Sequence, residues 1–307
     1  MMGILLYIFS KNKVKNKKNN DPGRIKKIQF IENSLLSVYL ANMEKEVTEK
    51  KRFKNDKEVF IADSDSTVMM PILLTKEVLE WHIDSDENIN NKNVLSTEQE
   101  GTLDQLNSLI KSSIDKKITQ NINFYDDNID LLGRSFQSPI SSDYKAHYKL
   151  FLADSTLVNG TKQYQFQYYP KNEKSIAFDG SFWIDSETFA LTEMQATLPV
   201  EANINFVKKL EFEVTYGKLA SNKWVVASQK TNTDFSFAVS KRKKQFFSVR
   251  KNQKYSDFQT DFHPGAIVEL SEKYAIQSDS IAMDPRHEVP LDSLEVNTIK
   301  GIRQLKN

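Results

Sequence analysis

The stretch FDGSFWIDSETFAL, residues 178–191, places two apolar segments on either side of an acidic turn. Phe182 and Trp183 precede the turn, Phe189 follows it, and Asp185 opens it. An aspartate in a turn most often accepts hydrogen bonds from backbone amides two residues further on. A catalytic carboxylate needs a partner acid, base or metal ligand, and the sequence does not place one beside Asp185 in a catalytic motif. We therefore interpret the stretch as a β-hairpin and Asp185 as a structural turn residue.

The sequence around this hairpin alternates between apolar and polar residues from Tyr144 to about Phe258, as expected for strands with one buried face. Asn159-Gly160 is a typical two-residue hairpin turn. We therefore expect an antiparallel sheet with one dry face. The residues predicted to be buried are Tyr164, Phe166, Tyr168, Phe212, Val214 and Tyr216, and those predicted to be exposed are Gln165, Gln167, Glu211 and Glu213.

The dry face of this sheet needs a cover, because monomers rarely expose apolar patches of that size. Apolar residues at helical spacing from Leu103 to Ile122, with Ile110 and Ile114 among them, predict a helix over 102–122 that would form this lid. The nine glycines of the chain are too few for the corners of a closed barrel. The predicted fold class is α+β and β-dominated. It is a curved, open antiparallel sheet of half-barrel form, covered by a helix, with a smaller irregular N-terminal part.

The N-terminal part has weaker signals. Residues 57–74 indicate two short strands around the sequence DSDS, TKEVLEWH at 75–82 is typical of a short helix, and the polar residues 84–101 indicate a loop. We divide the chain into a basic arm (1–27) that we expect to be disordered, one α+β domain (28–260), and a C-terminal loop with a short helix (261–307). Within the domain, residues 28–140 would hold strands and the lid helix, and residues 141–260 the antiparallel sheet.

The composition argues against several classes of function. The 42 basic residues nearly balance the 41 acidic ones, so no overall attraction to nucleic acid is expected. The chain has no cysteine, hence no disulfide or thiolate metal site, and its four histidines are scattered. Motifs of serine hydrolases, zinc proteases, phosphate-binding loops and EF-hands are absent. We therefore predict a non-enzymatic protein without cofactor or metal.

The first ten residues, MMGILLYIFS, depart from the pattern of a signal peptide, because lysines follow the short apolar segment instead of preceding it. No other stretch approaches the roughly 20 apolar residues of a membrane-spanning helix.

The hairpin stretch and its continuation, FDGSFWIDSETFALTEMQATLPVEANINFVKKLEFEV, resemble a family of large Gram-negative outer-membrane proteins of unknown function. Similar segments are NFYDDNIDLLGRSFQSPIS, YKLFLADSTLVNGTKQYQFQYYPK and DPRHEVPLDSLEVNTIKGIRQL, and the resemblance extends over about residues 11–307. In that family, a carboxypeptidase-regulatory-like domain precedes the similar region and a surface-antigen-like β-barrel follows it. The resemblance implies that this chain is the middle, pre-barrel region, from a truncated or split gene.

This resemblance supports our first functional hypothesis, a non-enzymatic periplasmic module of an outer-membrane protein with a role in envelope assembly or transport contacts. Its partners would be an outer-membrane barrel or other envelope proteins, and its location the periplasmic side of the outer membrane.

The alternative hypothesis is a lipid- or lipoprotein-binding carrier. The hairpin pattern is similar to that of lipoprotein-carrier half-barrels, in which a sheet and a helix enclose a cavity for acyl chains, although fold by itself does not determine function. We expect Trp183 to be a core residue. The residues that would line an apolar cavity are Tyr164, Phe166, Tyr168, Trp183, Phe212, Tyr216, Ile110 and Ile114.

Overall fold

The structure, a computed structural model, consists almost entirely of β-strands in its described part. Its one helix there is the four-residue α1 (Tyr144–His147). The described residues are 27–39, 61–62, 68–83, 89–101, 122–172, 175–198, 202, 204, 206–219, 224–240 and 243–259.

The strands fall into an N-terminal group, a short central hairpin and a C-terminal series of long strands. The N-terminal strands are β1 (Lys27–Tyr39), β2 (Ile61–Ala62), β3 (Val68–Ile83) and β4 (Ile89–Gly101). The central hairpin is formed by β5 (Asn128–Leu131) and β6 (Arg134–Gln137). The later strands are β7 (Tyr148–Val158), β8 (Thr161–Pro170), β9 (Asp179–Asp185), β10 (Leu191–Thr197), β11 (Val207–Lys218), β12 (Trp224–Ser240) and β13 (Lys243–Gln259).

Eleven of these strands form one antiparallel sheet in the order β2-β3-β1-β13-β12-β11-β10-β9-β8-β7, with β4 also paired to β3. No pairing among the described residues joins β7 to the far end, so the sheet is open there and not a closed barrel. In the part of the chain that the structure describes, strands β5 and β6 pair only with each other. The prediction of a large, open, strand-dominated antiparallel sheet is therefore confirmed.

The stretch 178–191 forms the β9–β10 hairpin. Asp185 Oδ1 accepts hydrogen bonds from the backbone N–H groups of Glu187 (3.1 Å) and Thr188 (2.7 Å) and from the Thr188 hydroxyl (2.8 Å). The Asp185 N–H in turn donates to the carbonyl of Ala190 at 3.0 Å. The interpretation of Asp185 as a turn residue is confirmed, because these bonds occupy its carboxylate at the end of the strand.

The alternating register was also predicted correctly. Phe166, Tyr168, Phe212, Val214 and Tyr216 are buried on one face of the sheet, and Tyr164 is half-buried on the same face. On the opposite face, Gln167 is exposed and the three other predicted polar residues are partly exposed. The Asn159-Gly160 turn has positive φ at both residues (50° and 82°), as a two-residue hairpin turn of this kind requires.

The N-terminal part is more regular than the sequence analysis predicted. The prediction of a short helix at 75–82 is wrong, because these residues belong to the 16-residue strand β3. The prediction of a loop at 84–101 is also wrong for most of that range, because residues 89–101 form strand β4. Strand β1 lies between β3 and β13 and pairs with both. Hydrogen bonding to two neighbouring strands thus outweighs the local helical preference of this segment, a common effect of tertiary context. The N-terminal strands are part of the same sheet as the later ones.

Several predicted segments lie outside the described residues. The lid helix at 102–122 does so except for Ile122, the basic arm at 1–27 does so except for Lys27, and residues 261–307 do so entirely. The division into domains stays a prediction.

We predict that Gly180→Ala destabilises the fold strongly. Gly180 has a φ of 153°, and a Cβ at this position would lie 2.1 Å from the backbone oxygen of Gln195 and 3.0 Å from the Tyr168 hydroxyl oxygen. The backbone conformation alone costs a non-glycine residue about 1–3 kcal/mol, and the clash adds to this. Urea denaturation should show the loss. Gly217→Ala is the control, because its Cβ would make an ordinary contact at 3.5 Å to Ala227. Equal stability of the two variants would contradict this account.

Candidate functional site

The inner face of the sheet, defined as the face that carries Phe166, Phe182 and Phe212, changes character from one end to the other. Two rows of directly opposed residues cross it. The first row is Leu152, Phe166, Phe182, Met194, Val214, Gln229, Gln253, Glu32, Glu77 and Thr97. The second row is Leu150, Tyr168, Gly180, Ala196, Phe212, Thr231, Lys251, Ser34, Thr75 and Gln99. From β7 to β11, the residues of both rows are apolar, apart from Tyr168. From β12 to β4, the residues of both rows are polar.

Residues 122–148, here called the cover segment, pack on the apolar half of the inner face. The segment contains the β5–β6 hairpin and helix α1. The ring of Phe136 stacks on Phe178, with 4.9 Å between ring centroids and an interplanar angle of 20°. Phe124 makes edge contacts with Phe178 at 6.2 Å and with Phe212 at 6.4 Å. The aromatic half of the sheet is thus the main core of the protein, and the cover segment completes it.

Hydrogen bonds hold the cover segment to the sheet at buried positions. The Tyr125 hydroxyl oxygen accepts a bond from the Leu191 backbone N–H at 2.9 Å. The Tyr148 hydroxyl donates to the Gln137 carbonyl at 2.6 Å, and its oxygen accepts a bond from the Phe178 N–H at 3.2 Å. Without these bonds, two backbone N–H groups would be buried unpaired: that of Leu191 at the start of β10 and that of Phe178 just before β9.

The structure brings together most of the residues predicted to line an apolar cavity. Phe166, Tyr168, Phe212 and Tyr216 belong to the core cluster, and Tyr164 packs against it. Trp183 does not, because it lies opposite Gln165 and Glu193 on the outer face and is only half-buried. The prediction that Trp183 is a core residue is therefore wrong, and the strand alternation assigns that role to its neighbours Phe182 and Ile184. Ile110 and Ile114 lie outside the described residues. That these residues line a cavity stays a prediction.

Sequence reasoning missed the cover segment as a source of core residues. The stretch NFYDDNIDLLGRSFQSPISSD (123–143) has turn-forming residues such as Gly133 and Pro139, so the sequence predicts a loop there. One signal was present, since Ile129 and Leu131 alternate with polar residues before the turn at Leu132-Gly133, whose φ angles are both positive. The core residues of the cover segment are Ile122, Phe124, Tyr125, Ile129, Leu131, Phe136, Ile140, Tyr144 and Tyr148.

Buried tyrosines are the ionisable groups of the apolar half. Burial raises the pKa of Tyr125 and of Tyr148 above the ordinary tyrosine value. Burial also raises the pKa of Tyr168 and of Tyr216 well above that value. The Tyr168 hydroxyl donates a hydrogen bond to the Gln195 carbonyl at 2.8 Å. These phenols remain protonated at neutral pH, and the hydroxyls of Tyr125, Tyr148 and Tyr168 take part in hydrogen bonds.

The polar half of the inner face is unusually well buried on its two central strands. Gln229 and Thr231 on β12, and Lys251 and Gln253 on β13, are all at most 5% exposed. On β3, Thr75 and Glu77 are half-buried, and on β4, Thr97 and Gln99 are exposed. We call this set the polar strip: Gln229, Thr231, Lys251, Gln253, Thr75, Glu77, Thr97 and Gln99. It leads from the border of the aromatic core to solvent at β4.

The described residues contain no group of three or more His, Asp or Glu side chains able to hold a metal ion. His147 is exposed on α1, with Nε2 at 3.4 Å from a carboxylate oxygen of Asp143. Of the other histidines, His82 belongs to β3 and the remaining two lie outside the described residues.

Residues 26–253 match a family described as "Family of unknown function (DUF5686)". The chain belongs to this family. The matched residues include the N-terminal strands from β1, the cover segment and most of β13. They therefore include every residue of the polar strip. None of the curated proteins matches this DUF5686 chain.

Solved structures with some likeness to the DUF5686 chain share little sequence with it. An outer membrane lipoprotein-sorting protein domain from Vibrio parahaemolyticus is 12% identical, with a TM-score of 0.29, and the comparison covers 86% of this chain and 97% of that one. Lipovitellin is 8% identical, with a TM-score of 0.30, and 78% and 26% of the two chains are covered. A LolA superfamily protein from Nitrosomonas europaea is 8% identical, with a TM-score of 0.24, and 82% and 95% are covered. TM-scores at this level do not define a common fold.

Within the described residues, no helix of this DUF5686 chain has the length and apolar character needed to cross a membrane.

We predict that Phe182→Ala in this DUF5686 chain costs about 3–5 kcal/mol of unfolding free energy, because it removes a fully buried ring that stacks on Phe166 at 5.4 Å. Trp183→Ala should cost clearly less, since that ring is half-buried on the outer face. Chemical denaturation of both variants measures the difference. A larger loss for Trp183→Ala would show that the two faces are assigned the wrong way round.

We also predict that stability falls steeply as pH rises above about 10, the ordinary tyrosine pKa. The pKa of each of the five buried tyrosines (Tyr125, Tyr144, Tyr148, Tyr168 and Tyr216) is raised in the folded state. Their contribution to stability is therefore complete below about pH 10 and is lost as the unfolded chain ionises first. Urea denaturation at about pH 8 and at about pH 11, which lie below and above the ordinary tyrosine pKa, tests this. Tyrosinate absorbance should show these phenols ionising only on unfolding. Ionisation of all eleven tyrosines near pH 10 in the folded state would contradict the prediction.

Proposed function

We propose that this chain is a non-enzymatic binding module of the cell envelope, which contacts another envelope protein along strand β7. The observation that carries the proposal is the exposure of this strand at the end of the sheet. Residues 151–160 are all exposed, and among the described residues β7 pairs with β8 alone. Four of its exposed side chains are large and apolar: Phe151, Leu152, Leu157 and Val158.

An edge strand of this kind favours binding by strand addition. A free edge presents unpaired backbone N–H and C=O groups, and proteins usually protect such edges with charges, proline or bulges. Strand β7 has one register shift between Leu152 and Asp154, yet Leu157 beyond it is 71% exposed. An extended partner segment would pair with the backbone and cover these side chains, as in other cases of β-augmentation. Binding of this kind requires no catalytic residue.

The envelope location and the nature of the partner rest on the resemblance described in the sequence analysis. There, the similar region precedes an outer-membrane barrel, so the partner that we propose is such a barrel protein or another envelope protein, on the periplasmic side of the outer membrane.

We predict that a photo-crosslinking amino acid at Thr156 of β7, in cells of the native host, yields one discrete product with an envelope protein that mass spectrometry identifies. The same amino acid at Lys208, which is exposed on the interior strand β11, should yield none. Leu157→Lys should reduce the Thr156 product about tenfold, equivalent to about 1.4 kcal/mol of binding free energy. Val94→Lys is the matched control, because Val94 is an exposed apolar residue (53%) on β4. Equal products from both positions, or loss in the Val94 variant instead, would refute the edge assignment.

A second candidate function, binding of a lipid or lipoprotein on the inner face, is favoured by the polar strip. An amphiphile that lies between the apolar and polar halves would use both. Titration of the delipidated full-length chain with a fluorescent fatty-acid probe tests this function: saturable binding would support it, and no binding would reject it.

A further inference from the structure

We propose that strand β7 also pairs with β7 of a second copy of this chain, in an antiparallel register that places Ser155 of both copies on the two-fold axis. The inference rests on the edge-strand part of the proposed function and names a further partner for the same edge. A free edge accepts one added strand at a time, so the second copy and the envelope partner would exclude each other.

A β-bulge in the middle of β7 determines which of its residues share a face. Leu152 lies opposite Phe166 and Asp154 lies opposite Gln165, so Ala153 is the extra residue of the bulge. In a regular strand, residues that are an odd number of positions apart lie on opposite faces. Across this bulge, such residues lie on the same face instead.

The exposed apolar residues of β7 form two groups, one on each side of the bulge. Leu152 and Leu157 lie on the inner face, whereas Phe151 and Val158 lie on the outer face of the sheet. Each group therefore has one apolar residue on each face. The residues between the groups, 153–156, are small or polar. The order apolar, polar, apolar is the same when β7 is followed in the reverse direction.

This order makes β7 complementary to itself in an antiparallel pair. With the two Ser155 residues opposite each other and Ala153 bulged out of both strands, Leu152 lies opposite Leu157 of the second copy on the inner face. Phe151 lies opposite Val158 of the second copy on the outer face. The two-fold axis repeats both pairs. Apolar cross-strand pairs of this kind are the contacts that stabilise a sheet.

The charge on β7 is compatible with this register. Asp154 is the only charged residue in the segment 151–158. It would lie opposite Thr156 of the second copy, whose hydroxyl can donate a hydrogen bond to the carboxylate. The two Asp154 residues would be diagonal neighbours, about 7–8 Å apart, whereas like charges directly opposite each other destabilise a strand pair.

The backbone of Ser155 is placed for pairing on the axis. Val158 and Thr161 close a two-residue turn as a hydrogen-bonded pair, so the alternation of an antiparallel ladder directs the N–H and C=O groups of Ser155 to the free edge. There, the Ser155 N–H donates to Asp154 Oδ1 at 2.6 Å. Pairing would replace this bond by two bonds between the Ser155 residues. Because one existing bond is lost and the interface is small, we expect a weak dimer, with a Kd on the order of 10 µM.

Sedimentation equilibrium of the full-length chain measures this self-association. We expect a monomer–dimer equilibrium for the unsubstituted chain. Leu157→Lys should raise the Kd about tenfold or more, because it places an ammonium group opposite Leu152 of the second copy at both ends of the pair. Val94→Lys is the matched control and should leave the Kd unchanged, since Val94 is an exposed apolar residue on β4.

Single cysteines test the register, because the chain has no cysteine of its own. In Ser155→Cys, the Cα atoms of the two copies would be about 5.5 Å apart, a distance that a disulfide bridges. In Thr156→Cys, they would be diagonal neighbours about 7–8 Å apart, beyond that distance. Under mild oxidation, Ser155→Cys should therefore form a covalent dimer about tenfold faster than Thr156→Cys. Lys208→Cys, exposed on the interior strand β11, gives the rate of random collision.

The other outcomes separate this inference from the proposed function. A chain that remains monomeric far above the expected Kd would overturn the inference and leave the envelope partner to the cross-linking test. Dimers that Leu157→Lys does not weaken, or equal disulfide formation at positions 155 and 156, would also overturn it. A dimer trapped through Ser155→Cys, without any envelope product from Thr156 in cells, would support the inference and reject the proposed function. The cysteine variants alter exposed residues only, so they test the register even where Leu157→Lys does not fold.

Discussion

The burial of one aromatic face is the constraint on which this structure depends. An open antiparallel sheet exposes both of its faces unless another part of the chain covers one, and rings such as Phe166, Phe182 and Phe212 cannot remain in water at small cost. The cover segment, residues 122–148, meets this need on the apolar half through the stacked pair Phe136–Phe178. Its residues Tyr125 and Tyr148 also accept hydrogen bonds from backbone N–H groups that the same contact buries. The cover segment therefore provides both the apolar contacts and the hydrogen bonds that this buried surface requires.

The inner face is divided into an apolar half and a polar half. From β7 to β11 it is filled by the cover segment, with stacked and edge-on rings in ordinary packing distances. From β12 to β4, in contrast, side chains of opposite charge and several amides follow one another along the two rows. Burying polar groups destabilises a fold unless they are well paired. The two halves therefore place different demands on the chain, with apolar packing in one and the pairing of polar groups in the other.

The candidate site was predictable from the sequence only where alternation was strict. The register of β8 and β11 followed directly from their aromatic and polar residues, and Phe166, Tyr168, Phe212 and Tyr216 were assigned to the correct face. Trp183 was assigned to the core by its size, although its immediate neighbours Phe182 and Ile184 occupy the inner face. The polar strip was not anticipated, because Lys251 and Gln253 resemble surface residues until their strand is placed between β12 and β1. Whether a polar residue is exposed depends on the parts of the chain that pack over it, and the local sequence pattern contains no information about them.

By itself, the sequence determined the strands of the C-terminal half, their alternating faces, the Asn159-Gly160 turn and the role of Asp185. These features depend on neighbours a few residues away, through side-chain alternation and local hydrogen bonds. The tertiary structure alone decided that residues 75–82 extend a long strand, that β1 lies between β3 and β13, and that the cover segment completes the core. The physical reason is the distance along the chain: β1 and β13 pair although more than 200 residues separate Lys27 from Gln259. Contacts of that range override weak local preferences, and they become apparent only when the sheet is assembled.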